Sequence, residues 1–119
     1  MALPFFDVMD AIDKRKWTKV QKLIDKFPYL LNLFDDKGNN VLSISIRNEC
    51  DVTFIDFLHS KHCNFNLGNP LLQESPLYLC LSFHAIDKAE RLQKYGAQMS
   101  SFEEALDTIF RTHDFEHLE

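Results

Sequence analysis

The stretch Asp35-Asp36-Lys37-Gly38-Asn39-Asn40, Val41-Leu42-Ser43-Ile44-Ser45-Ile46, Arg47-Asn48-Glu49-Cys50-Asp51, then Val52 to Leu58 and His62-Cys63-Asn64-Phe65-Asn66, decides how this chain is read. Gly38 can supply a positive φ and its Asp and Asn neighbours tolerate such geometry, so Asp35 to Asn40 reads as a turn. Asn40 stands where a helix N-cap is wanted. Leu42 and Ile46 then share one helical face, with the small Ser45 between them. The polar break Arg47 to Asp51 is a tight reversal, and Phe54, Phe57 and Leu58 mark a second helix. The unit is a turn, a short helix, a reversal, a second helix and a return to a turn.

The flanking sequence has the same form. Upstream, Phe5, Val8, Met9 and Ile12 lie on one side of a helix over 5–13, and Lys14-Arg15-Lys16 is a charged reversal. Trp17, Val20, Leu23, Ile24 and Phe27 mark the next helix, which Pro28 ends, and Tyr29-Leu30-Leu31-Asn32 leads into the turn. Downstream, a turn over 68–74 precedes Ser75-Pro76-Leu77, a capping hydroxyl before a proline at the first helical position. Leu77, Cys80 and Leu81 are the apolar face, His84 to Asp87 the reversal, and Ala89, Leu92 and Tyr95 the next helix, with Gly96 at its C-cap. Ser100-Ser101 opens a last helix whose first turn holds Glu103 and Glu104, and whose apolar face is Phe102, Leu106, Ile109 and Phe110.

These units align in register. A shift of 34 brings Val8 onto Leu42, Ala11 onto Ser45, Ile12 onto Ile46, Leu23 onto Phe57 and Ile24 onto Leu58. A shift of 35 brings Leu42 onto Leu77 and Ile46 onto Leu81, and the shift returns to 34 where Leu58 meets Leu92. A period of this size built from two short helices and a turn is the signature of a helical solenoid. The run Asp35…Gly38-Asn39-Asn40-Val41-Leu42, the element Ser75-Pro76-Leu77-Tyr78, and the segments Gly96-Ala97-Gln98-Met99-Ser100 and His62-Cys63-Asn64-Phe65-Asn66 resemble the ankyrin repeat. His62 stands for the family's Gly and Val41 for its Pro. The expected fold is therefore all-α: an α-solenoid of about three ankyrin-like units (5–34, 35–68, 69–100) and a C-terminal capping helix over 101–119, in one domain.

Composition fits this reading. The chain has 119 residues, 45% of them hydrophobic, with eleven Phe, enough for a modest single core. Three Gly and four Pro are few turns for an all-β fold. A net charge of −5 argues against direct nucleic-acid binding or a basic membrane footprint. The first residues lack the basic n-region of a secretory signal, and no run approaches the roughly 20 apolar residues of a membrane span. Three cysteines without a Cys-x-x-Cys spacing suggest reduced thiols and a cytoplasmic location.

No constellation for chemistry stands out, and neither a metal nor a cofactor is expected. His59, His62 and Cys63 lack metal-ligand spacing, and the two imidazoles read as helix-end caps. Cys80 with His84 is a formal thiol–imidazole pair, but Cys80 stands where a small core residue is wanted. The ankyrin resemblance implies that partners dock on the concave side, lined by the turns and the first helix of each unit. The implied partner-binding residues are Asp10 and Asp13 in the first unit, with Lys14 beside them. In the second they are Asp35, Asp36, Lys37, Asn39, Arg47 and Asn48. In the third they are Leu71, Leu72, Glu74 and Phe83, with Ser82 adjacent.

Leu71, Leu72 and Phe83 either form an apolar hot spot or fold inward. Charge is segregated. Lys14, Arg15, Lys16, Lys19, Lys22 and Lys26 stand against Asp25 alone and read as a solvated outer helix face, whereas residues 101–119 carry six acids and one Arg. Acids on the concave side suit a basic protein partner. The expected function is non-enzymatic occlusion, as monomer or 1:1 complex. One form is an immunity or antitoxin-type inhibitor of a basic nuclease toxin. The other is an adaptor, scaffold or host-directed effector.

Overall fold

The computed structural model describes residues 3–100 and 103–104. Among them are six α-helices: α1 (Pro4–Asp13), α2 (Trp17–Lys26), α3 (Val41–Arg47), α4 (Val52–Ser60), α5 (Pro76–Ser82) and α6 (Ile86–Lys94). The only strand-like pairing among the described residues is one isolated bridge, Asn69 to Glu74. The expected all-α class is what the chain adopts. Helices α1, α3 and α5 pack in a row, α4 packs on α6, and Trp17 of α2 packs against Phe54 of α4, the two rings tilted by 50° with centroids 5.0 Å apart. The result is an inner row and an outer row, with the core between them.

The repetition seen in the sequence is also written in the backbone. After α1, α3 and α5 the chain reverses through Arg15, Glu49 and His84, at φ of 55°, 63° and 57°. In each reversal the next residue's N–H returns to the third carbonyl from the helix end: Lys16 to Ala11 (2.8 Å), Cys50 to Ser45 (3.0 Å) and Ala85 to Cys80 (2.9 Å). This paired closure satisfies carbonyls that a helix end leaves open. Helices α4 and α6 end the same way through His62 (φ 61°) and Gly96 (φ 92°). Helix α2 cannot. Pro28 stands at that position with its φ fixed near −65°, so the chain continues as a 3-10 helix, Pro28–Asn32, that buries Leu30 and Leu31. That segment is more ordered than the lead-in expected from sequence.

The shift between units also has a structural address. In the second unit Asp35 closes its turn onto Asn39, and in the third Asn69 closes onto Glu74, one residue further along. The residue is given back at the reversals. Cys50 and Asp51 are separate closing and capping residues, whereas Ala85 alone fills both places. Helix α6 therefore starts at Ile86, so the reversal expected over His84 to Asp87 is shorter and Asp87 belongs to the helix.

Core positions repeat with the helices. Val8, Leu42 and Leu77 are buried, as are Ala11, Ser45 and Cys80, and Ile24, Leu58 and Leu92 are fully enclosed. Leu79, not assigned to the core from sequence, is buried as well. Asn40 caps α3 reciprocally with Ser43, and its Nδ2 donates to the Leu67 carbonyl at 2.8 Å. Ser75 caps α5 through the Tyr78 N–H. The expected capping helix lies mostly outside the described residues, but its opening is clear. Ser100 Oγ accepts from the Glu103 N–H, and Glu103 Oε1 accepts from the Ser100 N–H.

Candidate interaction surface

The turn before α3 is built by Asp35. Its Oδ1 accepts from the backbone N–H groups of Lys37 and Asn39, both at 2.9 Å. Asn69 does the same for the next turn, accepting from Leu71 (2.9 Å) and Leu72 (3.1 Å). Its amide donates back to the Lys37 carbonyl at 3.0 Å, so adjacent turns are tied edge to edge. Gly38, at φ 81°, lies beneath this junction, where a Cβ would come within 2.3 Å of Asn69 Oδ1.

This geometry sorts the residues expected to meet a partner. Asp36 and Lys37 are exposed at the turn tip, and Asp10 and Asp13 are exposed on α1. Leu71, Leu72 and Phe83 are 67%, 60% and 51% exposed, so the third turn presents its apolar residues to solvent. Other expected residues serve the fold. Asn39 is buried, accepting from Ser43 Oγ at 3.2 Å and from Asn69 Nδ2, and so is withdrawn from the surface. Asp35 spends its carboxylate on its own turn. Arg47 and Glu74 pair with each other at 2.6 Å, both partly buried, bridging α3 to the next turn. Asn48 donates to the Ile44 carbonyl, which ends α3, and approaches Asp13 at 3.5 Å.

The acidic character expected of this side is correspondingly thinner. Asp10 is paired with Lys14 at 3.0 Å, and Glu74 with Arg47, leaving Asp13 and Asp36 without an ion pair among the described residues. Exposed pairs such as Asp10–Lys14 contribute little. Leu71, Leu72 and Phe83 are the exposed large apolar residues among those expected to meet a partner.

The groups weighed for chemistry are occupied otherwise. Cys80 is fully buried and burial pushes its thiol up to about 12, far from a thiolate at neutral pH. His84 is exposed at the helix-reversing position. Cys50 and Cys63 are likewise raised to about 12 by burial. His59 stacks on Tyr95 at 3.8 Å between ring centroids, and Tyr95 also packs on Phe65 at 5.6 Å. The His59 ring is thus part of an aromatic ridge, in place of the cap expected from sequence. Among the described residues no group of three or more His, Cys, Asp or Glu is placed to hold a metal ion. No described helix is long and apolar enough to cross a membrane. A cleft of about 500 Å³ lies beside the third turn, but its carboxylates, Glu74 and Glu103, are already engaged.

On the outer row, Asp56 of α4 meets the Arg91 guanidinium of α6 and accepts from Tyr95 Oη at 2.5 Å. The Arg91 hydrogen bond, then the Tyr95 one, holds the Asp56 carboxyl below its ordinary range. Comparison of the chain with protein-family models, curated proteins and solved structures finds no match.

Proposed function

We propose that this chain is a short ankyrin-type solenoid and a non-enzymatic protein-binding module that acts by occluding its partner. The supporting observation is the exposed trio Leu71, Leu72 and Phe83 on the turn and first helix of the third unit. Leu71 and Leu72 lie side by side in the turn before α5 and Phe83 at its C-cap, and exposed apolar side chains of this kind gain from being covered by a partner. Asp36 is exposed at the turn next to that of Leu71, Asp13 is exposed at the end of α1, neither has an ion pair among the described residues, and such acids favour a basic partner. An immunity or antitoxin-type inhibitor of a basic nuclease toxin has this combination of small size, exposed acids and apolar anchor, and such inhibition requires no catalytic group.

The test begins with affinity capture from the native cell and titration of the recovered partner against Leu72→Asp and Asp36→Lys variants. A single basic partner bound 1:1, weakened more than about tenfold by Leu72→Asp and less by Asp36→Lys, supports inhibition through this face. Binding that neither substitution changes rejects it.

A further inference from the structure

The outer helix α2 carries a feature that this function does not use. Arg15, Lys16, Trp17, Thr18, Lys19 and Lys22 line a shallow hollow of about 610 Å³ at the surface. None of them belongs to the apolar trio or to the exposed acids Asp13 and Asp36. Trp17, the chain's sole tryptophan, is among the lining residues, half-buried and backed by Phe54. Four cationic residues, Arg15, Lys16, Lys19 and Lys22, therefore line the hollow together with Trp17.

Among the described residues, the carboxylates of α2 and of the neighbouring α4 are engaged elsewhere. Asp25 on the same helix pairs with Lys61. On the neighbouring outer helix, Asp51 caps α4 through Thr53 and Phe54, and Asp56 is taken by Arg91 and Tyr95. Glu49 meets only Arg15, at 3.8 Å and exposed. Lys16, Lys19 and Lys22 make no ion pair among the described residues. In a protein of net charge −5 they form a local patch of opposite sign. Such a patch attracts anionic groups with a field that the rest of the molecule does not share.

We infer that this hollow is a second docking surface, and that its ligand is an acidic peptide segment of a partner protein with an apolar or aromatic side chain packed over Trp17. Carboxylates of such a segment would pair with Lys16, Lys19 and Lys22. The indole offers a preformed contact area that needs little ordering on binding. A nucleic acid is disfavoured because its many phosphates would meet the remaining negative charge of the molecule.

Because Trp17 is the sole tryptophan, its fluorescence reports directly on this hollow. The probe is a short synthetic peptide of glutamates flanking one phenylalanine, titrated at low ionic strength into the whole chain. The expected result is a saturable change in tryptophan emission that weakens with added salt. A Lys19→Glu, Lys22→Glu variant should bind about tenfold or more weakly with its circular dichroism unchanged. The apolar variant Leu72→Asp should bind the peptide as the native chain does. A response as strong from the same peptide made with lysines overturns the inference. So does tighter binding of a single-stranded oligonucleotide, or a titration that the Lys19→Glu, Lys22→Glu variant leaves unchanged. Failure here leaves the inner-face binding intact, since that is read out by Leu72→Asp on a different partner.

Discussion

At the residue scale, two glycines separate conformational need from steric need. Gly38 and Gly96 both sit at positive φ, 81° and 92°. A side chain at Gly96 would meet nothing within 4 Å, whereas at Gly38 it would meet Asn69 Oδ1 at 2.3 Å and Leu71 Cγ at 3.1 Å. Gly96→Ala should therefore cost about 1 kcal/mol, the ordinary penalty of the left-handed region. Gly38→Ala should cost more, about 2–3 kcal/mol, because the Asn69 side chain that ties two turns together must move. Urea unfolding midpoints of the two variants test the difference, and equal losses would show that the Asn69 contact carries no energy. Asp56 supplies a pH dependence at the same scale. Its folded carboxyl is held low, by Arg91 first and Tyr95 second, so the unfolded chain binds the proton more readily. The stabilisation is complete above the ordinary aspartate range near about 4 and is lost as pH falls through the lowered folded value. Asp56→Asn should flatten that part of the acid limb, as measured by thermal melts between about pH 2 and 5.

At the element scale, the helix ends show what a sequence can and cannot disclose. The starts were legible. Asn40 and Ser75 carry short polar side chains that can reach the next turn's N–H groups, and both do so; Asp51, read from sequence as part of the reversal, caps α4 in the same way. The stops were less so, because Arg15, Glu49, His62 and His84 occupy a left-handed position that glycine usually fills, and no side-chain signature marks it. The buried role of Asn39 was hidden for a related reason. It depends on Asn69, thirty residues away, and no local pattern contains that contact. The backbone strain at the reversals leads to a prediction. Replacing Glu49 or His84 with Gly should stabilise the chain by about 0.5–1 kcal/mol each, since relief of the left-handed penalty exceeds the added freedom of the unfolded chain. Both side chains are exposed, and Glu49 loses only a long surface pair with Arg15. A fall in urea midpoint for either variant would mean that its side chain does more than turn the chain.

At the scale of the whole molecule, the main helix contacts among the described residues run within a unit or between adjacent units: α1 on α2 and α3, α3 on α5, α4 on α6, and α5 on α6. Glu103 ties the described residues that follow α6 to the start of α5. It is buried, and its two oxygens accept from different elements, Oε1 from the Ser100 N–H at 3.0 Å and Oε2 from the Ser75 N–H at 2.9 Å. In the second unit the N-cap's own N–H is satisfied locally, Asn40 donating to Ser43 Oγ at 2.9 Å. Tyr78 occupies the corresponding position in the third and does not supply that acceptor, so Glu103 fills the role from outside the hairpin. Glu103→Ala would leave the Ser75 and Ser100 N–H groups without their carboxylate acceptor, a loss of about 1–3 kcal/mol. The loss should be uneven. In a stack with neighbour-only coupling, α5 and α6 should open locally while α1 to α4 stay closed. Amide hydrogen exchange resolves this. In Glu103→Ala, protection of Leu79, Cys80 and Leu92 should fall well below that of Val8, Ile12 and Ile24, whereas equal acceleration throughout would mean that the molecule opens only as one unit. The outcome also bears on binding, because Leu71, Leu72 and Phe83 belong to the hairpin that Glu103 holds in place. On the proposed function, a variant that loosens α5 weakens binding through Leu71, Leu72 and Phe83 without altering those residues, while the hollow beside Trp17, in the first unit, responds to the acidic peptide as before.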